Sequence, residues 1–160
     1  MRPILAIAVL LSFASPCLAF AEPPQASCTT LVIEFVGEMD RLAPPVVIST
    51  SSSEAEWYRQ HLLPEPGYFV VYVQVVPASV LSQITELPLL KRELESAKPM
   101  DEEPKTPNNV RFTAGVGHDH LQIMVDAQTS AKILEDIARV VAKYPTLKSE
   151  LQEIESHVKP

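Results

Sequence analysis

His118 and His120 flank Asp119 in a Gly117-His118-Asp119-His120 stretch, the sharpest local chemical signal in the chain. On an extended strand, residues two apart share a face, so His118, His120, Gln122, Met124 and Asp126 would project together. Two imidazoles and a carboxylate begin a zinc or copper site, and His118, His120 and Asp126 are its candidate ligands. The pattern lacks further ligands at a recognisable spacing, because His61 and His157 lie far away in sequence. Gly, His and Asp also suit the polar tip of a hairpin, so the same residues have a plain structural reading.

Other templates for chemistry are poorly represented. No G-x-S-x-G elbow, H-E-x-x-H pair or C-x-x-C pair occurs. The run Ser49-Thr50-Ser51-Ser52-Ser53 resembles a nucleophile cluster, but Ser53 with Glu56 three residues on reads as the capping box of a helix entry. Asp101-Glu102-Glu103 and Glu135-Asp136 read as solvated charge. Lys91-Arg92 stands alone as a compact basic pair, too little to hold a phosphate backbone. Cys28 sits at the start of an apolar run and reads as a small buried residue, shielded and unreactive. The competing reading is an intermolecular bridge between two copies of the chain.

These residues need elements to position them. Thr29–Val36 alternates as a strand, and Val46-Val47-Ile48 forms a second extended run after Pro44-Pro45. A helix over Glu54 to Leu63 would bury Trp57, Leu62 and either Tyr58 or His61. Tyr68–Val76 is the strongest strand, apolar on both faces, a composition that suits a central position in a sheet. Pro77 and Pro88 introduce two helical pieces, Ala78–Glu86 and Leu89–Ala97. Val110–Ala114 pairs with His120–Asp126 as a hairpin. Asp126 or Thr129 caps a helix bearing Leu134, Ile137, Ala138 and Val141. Beyond Pro145 a last helix carries the stripe Leu147, Leu151, Ile154 and Val158. The expected fold is α+β, with a mixed or antiparallel sheet of about five strands and helices mainly on one face.

The expected organisation is a signal peptide over 1–21, a flexible lead-in over 22–28, and a single α+β domain over 29–158. A Pro-rich exposed loop interrupts the domain at 98–109. Met1-Arg2-Pro3, the apolar run Ile4–Ala14 and the small residues Ala19 and Ala21 form the three regions of a Sec leader. The destination is then the periplasm or the exterior, with no membrane span left after cleavage. The whole sequence has 160 residues, 13 Lys+Arg against 20 Asp+Glu, and a net charge of −7. Loss of Arg2 with the leader makes the mature chain more acidic still, which argues against nucleic acid as a partner.

Tyrosines on a rigid sheet are good interface material. Tyr68, Tyr72 and Gln74, beside the hairpin on an uncovered sheet face, are therefore candidate contacts. Leu151 and Ile154 of the last helix are the other candidates. The resulting expectation is a small exported acidic protein, not an enzyme and without a cofactor. It binds another protein, as an inhibitor, an immunity-type neutraliser or an assembly accessory, and its acidic charge would speed association with a basic partner. A metal-binding protein or metal-dependent hydrolase centred on His118 and His120 is the alternative.

Overall fold

The first strand, β1 (Thr30–Val36), is apolar at nearly every position, and both of its faces are buried. In the computed structural model, which describes residues 28–37, 43–61, 70–97, 109–116 and 119–159, β1 is the middle of a five-stranded sheet. The others are β2 (Val46–Ser49), β3 (Tyr72–Val75), β4 (Asn109–Val116) and β5 (Asp119–Val125), in the order β3-β2-β1-β4-β5. β1 runs antiparallel to β2 and β4, and β4 to β5, whereas β2 and β3 are parallel. The fold is a mixed α+β sheet, as expected. The leader, the lead-in as far as Ser27, residues 98–108, Tyr68 and His118 lie outside the described residues.

One face of the sheet carries the main core. Leu31, Ile33 and Phe35 of β1, Ile48 of β2 and Phe112 of β4 are fully buried there. Four helices close this face: α2 (Ala78–Thr85), α3 (Pro88–Glu95), α4 (Ala127–Val140) and α5 (Pro145–Val158). Pro88 and Pro145 occupy the first turns of α3 and α5, and Pro77 is the N-cap of α2. Proline suits these positions because the missing amide has no intrahelical partner there. The other face carries a small cluster of Val32, Val47, Val71 and Val73 under Tyr58 of a single helix, α1 (Ser52–His61). None of the described helices is long and apolar enough to cross a membrane.

Three local expectations are corrected. The entry to α1 lies two residues earlier than the Ser53–Glu56 box, because Ser49 Oγ captures the Ser51 amide at 3.1 Å and turns the chain there. Ser51 Oγ then receives the Glu54 amide at 3.4 Å, while Glu56 turns instead to Arg59 and Gln60. The buried stripe of α1 is Ala55 and Tyr58, leaving Trp57 and His61 exposed. Finally, β3 is an edge strand, not a central one. It is half-buried at most, with Tyr72 packing on the main core and Val73 on the α1 side, and its apolar run does not reflect two strand neighbours.

Asp126 ends the β5 segment and caps α4, its Oδ1 accepting the Thr129 amide at 2.9 Å. That backbone hydrogen bond holds the Asp126 carboxyl below its ordinary value of 3.8. Asp126→Ala is expected to cost about 0.5–2 kcal/mol near neutral pH. A folded-state pKa below the unfolded one gives stability that is present above the unfolded value and lost as pH falls through the folded one. Melting curves of both proteins from pH 7 downward should therefore converge only below the ordinary aspartate range. A gap that persists unchanged in strong acid would contradict a charge-assisted cap.

Candidate functional site

The proposed metal ligands do not assemble among the described residues. β5 pairs with β4 as far as Val116↔Asp119, so the hairpin turn is tighter than a five-residue loop. His120 and Gln122 are exposed and Met124 is half-buried. Asp126 has left the strand and is committed to the α4 cap. His61 stacks on Trp57 with ring centroids 4.3 Å apart, and His157 stacks on Phe35 at 5.5 Å. His157 thus belongs to the main core side and His61 to α1 on the other. No group of three His, Cys, Asp or Glu among the described residues is placed to hold a metal ion.

The serine-rich run builds a polar knot instead. At the start of β1, Thr29 and Thr30 each donate a hydroxyl to Glu54 Oε2 at 2.7 Å. Ser49 Oγ is fully buried, 2.8 Å from Thr30 Oγ1 and within bonding distance of the Thr29 and Ser51 carbonyls. These bonds tie β1, β2 and the first turn of α1 together, and a carboxylate is well placed at a helix N-terminus. The hydroxyls are spent on structure, and no histidine stands among these partners to activate Ser49. The sequence does carry the signal for this knot in Ser51-x-x-Glu54, the same spacing two residues ahead of Ser53-x-x-Glu56.

Cys28 adjoins the knot. Its thiol donates to the Thr30 carbonyl at 3.1 Å, and burial, with the Glu54 charge as a smaller cause, pushes its pKa up. A thiol held protonated is a poor nucleophile. Native protein is expected to react slowly with a thiol reagent at neutral pH and to run as a monomer on a non-reducing gel. Rapid labelling or a reducible dimer would reverse this reading. A serine–lysine spacing also occurs at Ser156-x-x-Lys159, but Ser156 Oγ donates to the Glu153 carbonyl at 2.7 Å and Lys159 pairs with Glu155.

The candidate contact residues fall into two groups. Leu151 and Ile154 are fully buried in the main core, so the stripe on α5 is packing and not a docking face. Tyr72 and Gln74 are not beside the hairpin, since β3 and β5 are opposite edges of the sheet. Tyr72 leans on the main core, on the helix-covered side. It also holds Gln74: the tyrosine hydroxyl donates to Gln74 Oε1 at 2.9 Å, and Gln74 Nε2 donates to the Val75 carbonyl at 3.0 Å. The two residues are thus linked along the β3 edge itself.

That edge has a defined polarity. The Tyr72 amide donates to the Pro45 carbonyl and the Val76 amide to the Ser49 carbonyl, both at 2.9 Å. In a parallel ladder alternate residues bond to one neighbour, so the Tyr72, Gln74 and Val76 amides face β2. The backbone groups of Val71, Val73 and Val75 point away from it. Large exposed apolar residues gather at the same place. Val75, the last residue of β3, is 41% exposed, Val70, two residues ahead of the strand, is 63% exposed, and Trp57 is 40% exposed on the α1 helix that packs over β2 and β3. Leu121, 42% exposed, lies on the far edge. The edge location was beyond the sequence, because pairing partners leave no mark on a strand's own periodicity. No protein-family model matches this chain, and no curated protein or solved structure does so either.

Proposed function

We propose that this is a small exported acidic protein, not an enzyme, that binds another protein through β3 and the α1 surface beside it. The observation that carries the reading is the edge itself. A strand with backbone donors and acceptors turned outward, and exposed Val70, Val75 and Trp57 around it, can receive an extended chain by strand addition. Natural proteins blunt such edges with charge, proline or cover; among the described residues the Gln74 amide caps one outward carbonyl, that of Val75. The serine, glutamate and thiol groups of the polar knot are engaged in internal bonds, which supports a reading centred on the exposed edge. Export rests on the leader-like sequence of Met1–Ala21.

The test is site-specific photo-crosslinking in the cells that make the protein. A photoreactive residue at Val75 should give one adduct of defined mass, and the same residue at Gln83, exposed on α2, should not. No adduct from position 75, or equal adducts from both, would overturn the contact. The exported form should begin at Glu22; a mature chain that retains Met1 would remove the export part of the reading.

A further inference from the structure

We propose that the segment added beside β3 is basic, with a lysine or arginine set against Glu150 and Glu153 of α5; this rests on the reading of β3 as the contact element. α5 turns the stripe Leu147, Leu151, Ile154 and Val158 onto the sheet, which fixes where its two flanks lie. The flank facing α4 carries Glu155, paired with Lys159, which also feels Glu135 of α4. α4 packs over β4 and α5 over β1, β2 and β3, so the flank of α5 turned away from α4 lies on the β3 side, near enough for the Glu150 charge to act on Tyr72.

Glu150 and Glu153 stand three residues apart on that flank, and neither has an ion-pair partner among the described residues. Several acidic groups of other helices are paired: Glu56 with Arg59, and Glu135 and Asp136 with Arg139, as is Glu86, which caps α2, with Lys91. Glu150 is half-buried. Burial first, and the Glu153 charge second, push its carboxyl above the usual range, as expected of a like-charge pair lacking a cation. Side chains of an added strand alternate between the two faces of the sheet. Those on the α5 side meet Glu150 and Tyr72, and those on the α1 side meet Val71, Val73 and Tyr58, which calls for basic and apolar residues in alternation.

The probes are short peptides of alternating valine and lysine, and of alternating valine and glutamate. They are titrated against the mature protein and its Val73→Pro and Glu150→Gln/Glu153→Gln variants. The lysine peptide is expected to bind, more weakly at high salt. Its affinity should fall about fivefold in the double glutamine variant and disappear in Val73→Pro. Equal binding of both peptides, lost only in Val73→Pro, would overturn the basic partner and leave the β3 edge standing. Lysine-peptide binding that survives Val73→Pro, or no binding of either peptide, would overturn the proposal. A self-associated protein that Val73→Pro makes monomeric would name a second copy as the occupant and overturn it too. Circular dichroism of each variant establishes that it is folded.

Discussion

Leu151→Ala is expected to lower stability by about 2–5 kcal/mol, a large share of the roughly 5–15 kcal/mol that holds a domain folded. Leu151 has no solvent exposure and belongs to the same buried cluster as Ile154, Leu147 and the β1 side chains Leu31, Ile33 and Phe35. Truncation removes the transfer free energy of the deleted atoms and leaves a cavity that a sheet packed on helices cannot fully close. A docking role predicts the opposite pattern, with unchanged stability and weakened binding. Urea unfolding distinguishes them: the midpoint should drop clearly for Leu151→Ala and stay within about 0.5 kcal/mol of wild type for the exposed neighbour Gln152→Ala. An unchanged Leu151→Ala midpoint would return the α5 stripe to the surface. Leu151→Ala/Ile154→Ala shares a cavity, so the two losses need not add.

The second large effect separates two adjacent positions on β3. The Gln74 amide faces β2, in register between the Tyr72 and Val76 amides that donate to Pro45 and Ser49. Gln74→Pro removes that ladder bond and leaves a β2 carbonyl unsatisfied, at a cost of about 1–3 kcal/mol. It also frees the Val75 carbonyl from the Gln74 amide and the Tyr72 hydroxyl from its acceptor. The Val73 amide points outward, so Val73→Pro removes no bond to β2, and proline is tolerated on edge strands whose amide faces away from the sheet. Val73→Pro still loses part of a side chain packed under Tyr58, so a modest decrease is expected, smaller than for Gln74→Pro. Thermal melts of the two variants provide the comparison. Equal losses would mean that β3 is paired on both sides and is not an edge.

The helices were largely legible. Pro77, Pro88 and Pro145 mark three starts, and Leu147, Leu151, Ile154 and Val158 repeat at a spacing that only a helix places on one side. Asp126 announces its cap by type and position. Such features depend on residues a few positions apart, and local geometry turns them directly into structure. α1 shows where this fails. A ring at 57, 58 or 61 satisfies a helical face about equally well, and the choice of Tyr58 was made by β2 and β3 beneath it.

Counting along a strand meets the same limit at Asp126. His118-x-His120 and Asp126 share a strand face by counting, yet the carboxylate went to the next helix because α4 needed a cap. Tyr72 and Gln74, which the sequence sets on an uncovered sheet face, lie together along an edge, with Tyr72 on the helix-covered side.

By itself the sequence determined the leader-like start, the acidic balance, the α+β class and the approximate positions of five strands and five helices. Each of these follows from composition or from a short-range period. Only the tertiary structure decided that β3 lies at the edge, that the α5 stripe is core, that Ser49 and Glu54 knot β1 to α1, and that α5 packs against β3. Strand order and helix cover are set by contacts between segments far apart in the chain, such as Val47 with both Val32 and Val73. An apolar run that packs partly on both faces reads the same in the sequence whether the strand has two strand neighbours or, like β3, one.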